Sequence, residues 1–170
     1  SMHVVTMDND QHALDYVQST VATQLPPSTR IDSIRYNAMR TRSAEPTIGK
    51  FGKFDIIYSV GLCDYLTDDQ LIGLLGGWHN TLADGGVMFV AFKDTHRYDH
   101  TPYQWHLDWF FYQRTHDDVL RLYEQAGFDV SAMTFERDES GIIINYVARQ
   151  DSVTKVRVDM AHDSIKRARR

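Results

Sequence analysis

The sequence predicts an α/β domain. Three observations carry that prediction. Short, strand-like apolar runs alternate with longer runs whose apolar residues recur every three or four positions. Proline, glycine and aspartate punctuate the junctions. The last two apolar runs are joined by "DESG", a hairpin signal, with no room for a helix.

"HVVTM" (His3 to Met7) is a short strand ending at Asp8. In "DQHALDYVQSTVATQ", residues Ala13, Leu14, Val17, Val21 and Ala22 fall on one helical face. The paired prolines of "QLPPS" stop that helix, since proline cannot continue it. "IDSIRY" (Ile31 to Tyr36) alternates as a strand, and Arg40 to Lys53 reads as a loop with one short helical turn. "DIIYSV" is a strand. Thr67 then caps a helix over "TDDQLIGLLGGWHNTL", with two acids in its first turn opposing the helix dipole. "GVMFVAF" (Gly86 to Phe92) is a buried strand. "THDDVLRLYEQAGF" repeats the capping pattern at Thr115, and Gly127 ends that helix. "DVSAMTFER" and "GIIINYVAR" form the closing strand pair. Strand–helix alternation of this kind argues for a mostly parallel sheet with a C-terminal antiparallel hairpin.

The chain has 170 residues, 42% hydrophobic and 12% aromatic, which suits one packed domain over residues 1–150. Residues 151–170, ending in "KRARR" (Lys166 to Arg170), read as a solvated tail. A net charge of −5 gives no general attraction to nucleic acid or an anionic membrane. Cys63 is the single cysteine, so no disulfide can form within the chain, and a cytoplasmic setting is expected. No apolar run approaches the roughly 18 residues of a membrane span.

Ligands of parallel α/β sheets bind outside the carboxyl ends of the strands. Asp8, Asn37, Ser59 and Phe92 fall there. Between the fourth predicted strand, Gly86 to Phe92, and the next helix lies "FKDTHRYDHTPYQWHLDWFFYQRT", rich in aromatic and histidine residues. Its spacings match no standard ligand motif, so no metal site is predicted. Trp105, Trp109 and Tyr112 sit three or four apart and so share one face of a predicted lid helix. That lid either packs on the core or walls an acceptor pocket, with His106, Tyr112 or Arg114 touching substrate. A guanidinium at Arg114 can fork onto a carboxylate. Cys63 reads as a small buried hydrophobe.

Several segments resemble class I S-adenosylmethionine-dependent methyltransferases. "VVTMDNDQHALDYVQ" is similar to that family's second strand and following helix, and "IRYNAM" to the end of its third strand. "FDIIYSVGLCDYL" resembles its fourth strand, "LADGGVMFVAF" its fifth-strand motif and "YEQAGF" the turn before its sixth. The resemblance implies a Rossmann-like fold and S-adenosylmethionine as cofactor. Asp8 would grip the ribose hydroxyls, Asn37 and Ala38 would flank the adenine, and Ser59, Val60 and Gly61 would line the methionine side. Read by themselves, Asp8 has an alternative as an N-cap and Asn37 as a strand-end turn residue. "YSVGLCDYL" with "WHLDWFFYQRT" resembles, more narrowly, the methyltransferases that make 3-hydroxypalmitic acid methyl ester, the extracellular-factor group. That group implies methyl transfer to a fatty-acid carboxylate.

One departure is plain. The family's glycine-rich motif on strand one is absent from these residues. A sheet without its first strand has two open edges, through which chains can associate as homo-oligomers. The resemblance implies a small-molecule or lipid acceptor. Two alternatives are a protein-carboxylate methyltransferase and a non-catalytic interaction module on a decayed methyltransferase fold.

Overall fold

The structure, a computed structural model, describes residues 1–150. The predicted tail lies outside the described residues. The chain divides into two compact units, residues 1–40 and residues from 41 onward.

In the first unit, β1 (Met2–Asp8) and β2 (Thr29–Arg35) pair in parallel, from Met2 opposite Thr29 to Asp8 opposite Arg35. The crossover that a parallel pair requires contains α1 (Gln11–Tyr16). Asp10 caps it, accepting from the His12 N–H at 2.9 Å. The single helix predicted through Gln24 is not continuous. It widens into a π-helical turn over Val17–Val21 and tightens into a 3-10 turn over Ala22–Gln24. The run "VQSTV" is rich in β-branched and hydroxyl residues of low helix propensity, and Leu14 is the residue of α1 that is buried. Little packing therefore holds the later turns in register.

The second unit holds a four-stranded sheet of β3 (Phe54–Val60), β4 (Leu82–Lys93), β5 (Thr134–Arg137) and β6 (Ile143–Arg149), in the order β3-β4-β6-β5. β3 runs parallel to β4, while β6 runs antiparallel to both β4 and β5. The predicted hairpin is present and inserts β6 between β4 and β5. The sheet of this unit is therefore mixed. β4 begins at Leu82, earlier than predicted, and its register on β3 slips between Phe54 and Ile56. The outer edge of β3 has no strand partner among the described residues. There Ile56, Tyr58 and Val60 form an exposed apolar row.

Four helices belong to this unit: α2 (Ala44–Phe51), α3 (Asp68–Thr81), α4 (Thr101–Leu107) and α5 (His116–Gln125). α2, eight residues long, takes the place of the predicted loop with one short helical turn. Its signals are nonetheless in the sequence: Ser43 before it, Glu45 in its first turn, Lys50 in its last, and Gly52 at φ 79° as the stop. Both predicted threonine caps are closed capping boxes, Thr67 with Gln70 and Thr115 with Asp118. The core is built from Leu71, Leu74 and Leu75 of α3, Met88, Val90 and Phe92 of β4, Leu122 and Tyr123 of α5, and Ile144 and Tyr146 of β6. Tyr123 meets Phe92 edge-on at 6.5 Å and stacks on Tyr146 at 5.7 Å.

Two consequences are measurable. A Cβ at Gly77 would lie 2.5 Å from the Arg42 backbone, whereas one at Gly73 meets open space. Gly77→Ala should lose about 1–3 kcal/mol of stability, and Gly73→Ala should gain up to about 1 kcal/mol from helix propensity. Urea denaturation distinguishes them, and equal effects would contradict this packing.

The Thr115 N–H and hydroxyl, then Arg121, hold the Asp118 carboxyl down to about 2. A carboxyl depressed on folding stabilises above its unfolded value and loses that contribution as pH falls through the folded one. Asp118→Asn should thus cost about 0.5–1 kcal/mol at pH 7. The difference from wild type should shrink between about pH 4 and pH 2 in chemical unfolding.

Candidate active site

Asp8 ends β1 and is exposed. It is not the helix cap; Asp10 is. One Asp8 carboxylate oxygen accepts from the Asp10 N–H at 2.8 Å, and its backbone carbonyl accepts from the Tyr36 N–H at 2.9 Å. Asn37 follows the end of the adjacent strand. Its side-chain carbonyl accepts from the Met39 N–H at 2.9 Å, which opens a 3-10 turn over Ala38–Arg42. The parallel register thus brings Asp8, Asn37 and Ala38 to one end of one strand pair. Asp8 keeps its second oxygen, and Asn37 its amide N–H groups, without a partner among the described residues.

Ser59, Val60 and Gly61 close β3 in the second unit. Ser59 is buried, its hydroxyl 3.7 Å from the Cys63 sulfur. Val60 is exposed. Gly61 has φ 89°, a left-handed conformation that a side chain would strain, although open space surrounds its Cβ position. Its presence is a requirement of the turn. Cys63 is fully buried, and burial pushes its thiol up to about 12, so it is no thiolate nucleophile near neutral pH.

Arg114 is buried and turned inward. Its guanidinium donates to the Leu66 carbonyl at 2.6 Å, to the Cys63 carbonyl at 3.3 Å, and to Asp68 at 2.8 and 3.1 Å. The fork that the sequence offers to a substrate carboxylate is spent on the turn after β3. Tyr112 lies beside it, with Arg114 5.3 Å from the ring centre and the Tyr112 N–H bonded to the Asp64 carbonyl at 2.8 Å. The Tyr112 side chain is about half exposed. His106 sits apart from this pair, exposed in the last turn of α4.

The predicted helical face of Trp105, Trp109 and Tyr112 does not form. α4 ends at Leu107 because Asp108 adopts the left-handed conformation, φ 48°. Trp105 stays on the helix, 82% exposed, and Trp109 and Tyr112 lie beyond it. Aromatic contact replaces helical spacing. Tyr98, Tyr103 and Trp109 gather around buried Phe111 at 5.9–6.2 Å. Trp109 Nε1 donates to the Tyr65 hydroxyl.

Sequence reasoning missed the Asp64–Lys93 pair. Asp64, 6% exposed at its side chain, accepts from Lys93 Nζ at 3.0 Å, and that ammonium also lies 4.6 Å over the Phe111 ring. The signal was present: β3 and β4 run parallel, β4 closes on Lys93, and Asp64 lies in the turn that follows β3. Among the described residues no group of three or more His, Cys, Asp or Glu is placed to hold a metal, and no helix is long and apolar enough to cross a membrane.

No family model matches the chain, and no curated protein matches it. Solved structures do. A possible exported protein from Bordetella parapertussis superposes with a TM-score of 0.64 at 21% identity, over 87% of this chain and 53% of its own. The structure of PigF with SAH matches with a TM-score of 0.60 at 10% identity, over 86% of this chain and 50% of its own. An S-adenosylmethionine-dependent methyltransferase from Mesorhizobium loti matches at 0.59 and 12% identity, over 87% of this chain and 89% of its own. The chain spans about half the length of the first two. It has the Rossmann-like α/β fold that these structures share.

Arg114→Lys should leave at least one buried carbonyl unbonded, since an ammonium cannot reproduce the planar fork. The expected loss is about 2 kcal/mol by thermal unfolding. Wild-type stability in this variant would contradict the strap.

Proposed function

We propose that the protein transfers a methyl group from S-adenosylmethionine to an apolar small-molecule acceptor. The carboxylate of a 3-hydroxy fatty acid is the first candidate. The observation that carries this reading is Asp8 beside Asn37 at the ends of a parallel strand pair, each with unspent hydrogen-bonding groups. A carboxylate with a spare oxygen fits a vicinal diol, and a free amide fits the edge of a purine. PigF with SAH, of the same fold, supports the cofactor class.

The cofactor supplies an activated methyl group. The chain's own residues have to bind, orient and exclude water. Asp8 would hold the ribose, and Asn37 and Ala38 the adenine. The aromatic surface of Tyr65, Trp109 and Tyr112 suits an acyl chain. Arg114 serves as a positioning residue for the turn after β3, and His106 or Tyr112 stays available to a hydroxyl acceptor as base or donor.

A second reading, a non-catalytic interaction module, is favoured by the unpaired outer edge of β3 with its exposed Ile56, Tyr58 and Val60. The protein-carboxylate alternative gains no specific observation.

The deciding experiment is calorimetric titration with S-adenosylhomocysteine, followed by methyl transfer to 3-hydroxypalmitate. Asp8→Ala should weaken cofactor binding by about 1.5–3 kcal/mol. Trp109→Ala should raise the acceptor KM and leave cofactor affinity unchanged. Absence of binding heat in the wild type would favour the interaction module. Binding without turnover on any free acid would remove the fatty-acid acceptor.

A further inference from the structure

Lys93, the last residue of β4, and Asp94, just past it, face opposite ways. Lys93 meets Asp64 and Phe111. Asp94 lines a separate cavity of about 420 Å³, together with His96, Arg97, His116, Asp117 and Arg137. This cavity touches none of the residues assigned to methyl transfer above.

Its lining carries two carboxylates, Asp94 and Asp117, and two guanidiniums, Arg97 and Arg137. Asp94 is 4% exposed, and its charge is already answered. One oxygen accepts from Arg137 Nη2 at 2.6 Å, the other from the His96 N–H at 3.0 Å. Burial works against that charge, but the bonds from Arg137 and His96 hold the carboxyl below its usual range. Arg137 is fixed further by the Gly141 carbonyl at 2.9 Å. Arg97, by contrast, has no ion-pair partner among the described residues. His116 is held between two rings, 4.5 Å from Phe135 and 5.6 Å from Tyr146. Its Nδ1 is bonded to the buried Tyr146 hydroxyl at 2.8 Å, so Nε2 is the ring nitrogen left for a ligand. Asp117 is the one carboxylate of the cavity not already engaged in this way, and it is exposed in the first turn of α5.

Two guanidiniums and an oriented imidazole around one cavity form a donor set for a planar or tetrahedral anion. We propose that this cavity binds the anionic group of a small molecule, a carboxylate or a phosphate monoester, through Arg97, Arg137 and His116. Arg137 arrives pre-positioned by Asp94 and Gly141. Arg97 supplies a guanidinium held in no ion pair among the described residues, with exposed Asp117 as the formal counter-charge of the lining. The His116 ring, braced by Phe135 and Tyr146, presents Nε2 with little rotamer freedom left to lose. Binding requires neither a methyl donor nor turnover, so it stands or falls separately from the reading above.

The test follows the His116 imidazole resonances of the full chain by NMR, assigned through His116→Gln. Inorganic phosphate and 3-hydroxybutyrate are titrated separately. At least one should give a saturable shift in the millimolar range. Phosphate alone would identify a phosphorylated ligand, and 3-hydroxybutyrate alone a carboxylic acid. Arg97→Ala, at an exposed position without ion-pair partners, should weaken that binding about tenfold or more, and Arg97→Lys should restore part of it. Arg137 is left intact, because its removal would strand the buried Asp94. No saturable shift with either probe would overturn the proposal, as would an unchanged affinity in Arg97→Ala.

Discussion

The guanidinium of Arg114 is the interaction on which the turn after β3 depends. The Leu66 carbonyl has no place in the ladder of β3 or in α3, and the Cys63 carbonyl accepts from the Leu66 N–H at 3.4 Å with a lone pair to spare. The Leu66 carbonyl would be costly to bury without a donor. Arg114 supplies the donors and uses Asp68, in the first turn of α3, to balance its own charge. The next residue, Thr115, caps α5. One side chain thus ties the turn after β3, the start of α3 and the start of α5 together.

Most of the architecture was legible because its signals are local. The two threonine caps are set by residues within one helical turn. The hairpin is set by "DESG", and the strand ends by small or charged residues after apolar runs. What was not legible depends on contacts distant in sequence. α2 was obscured by Pro46 and Gly49, although its start and stop residues were all present. The break in α1 reflects how few of its residues are buried. The helical reading of Trp105, Trp109 and Tyr112 failed at one backbone angle, that of Asp108, which periodicity does not detect.

The candidate site shows the same division. Asp8 and Asn37 could be read from strand endings, and the parallel register does bring them to the same end. Arg114 was chosen for the chemistry of its side chain, and sequence does not reveal that its partners lie about fifty positions earlier. Lys93 and Asp64 went unnoticed for the same reason. The aromatic segment is held by its rings around Phe111 and by backbone bonds to the turn after β3, which together substitute for the missing helical periodicity.

The end of β4 has one further consequence. Adjacent side chains of a strand leave on opposite sides of the pleat, and the ladder continues past the strand, with the Asp94 N–H bonded to the Ile142 carbonyl at 2.9 Å. Parity alone therefore sorts a cation to the aromatic side and an anion to the polar side. Deleting a single residue within β4 would reverse that sorting, bringing a carboxylate toward Asp64 and an ammonium toward Arg137. Like charges would then meet on both faces at once. The spacing of this strand is accordingly less free to drift by insertion or deletion than the identity of any one apolar residue along it.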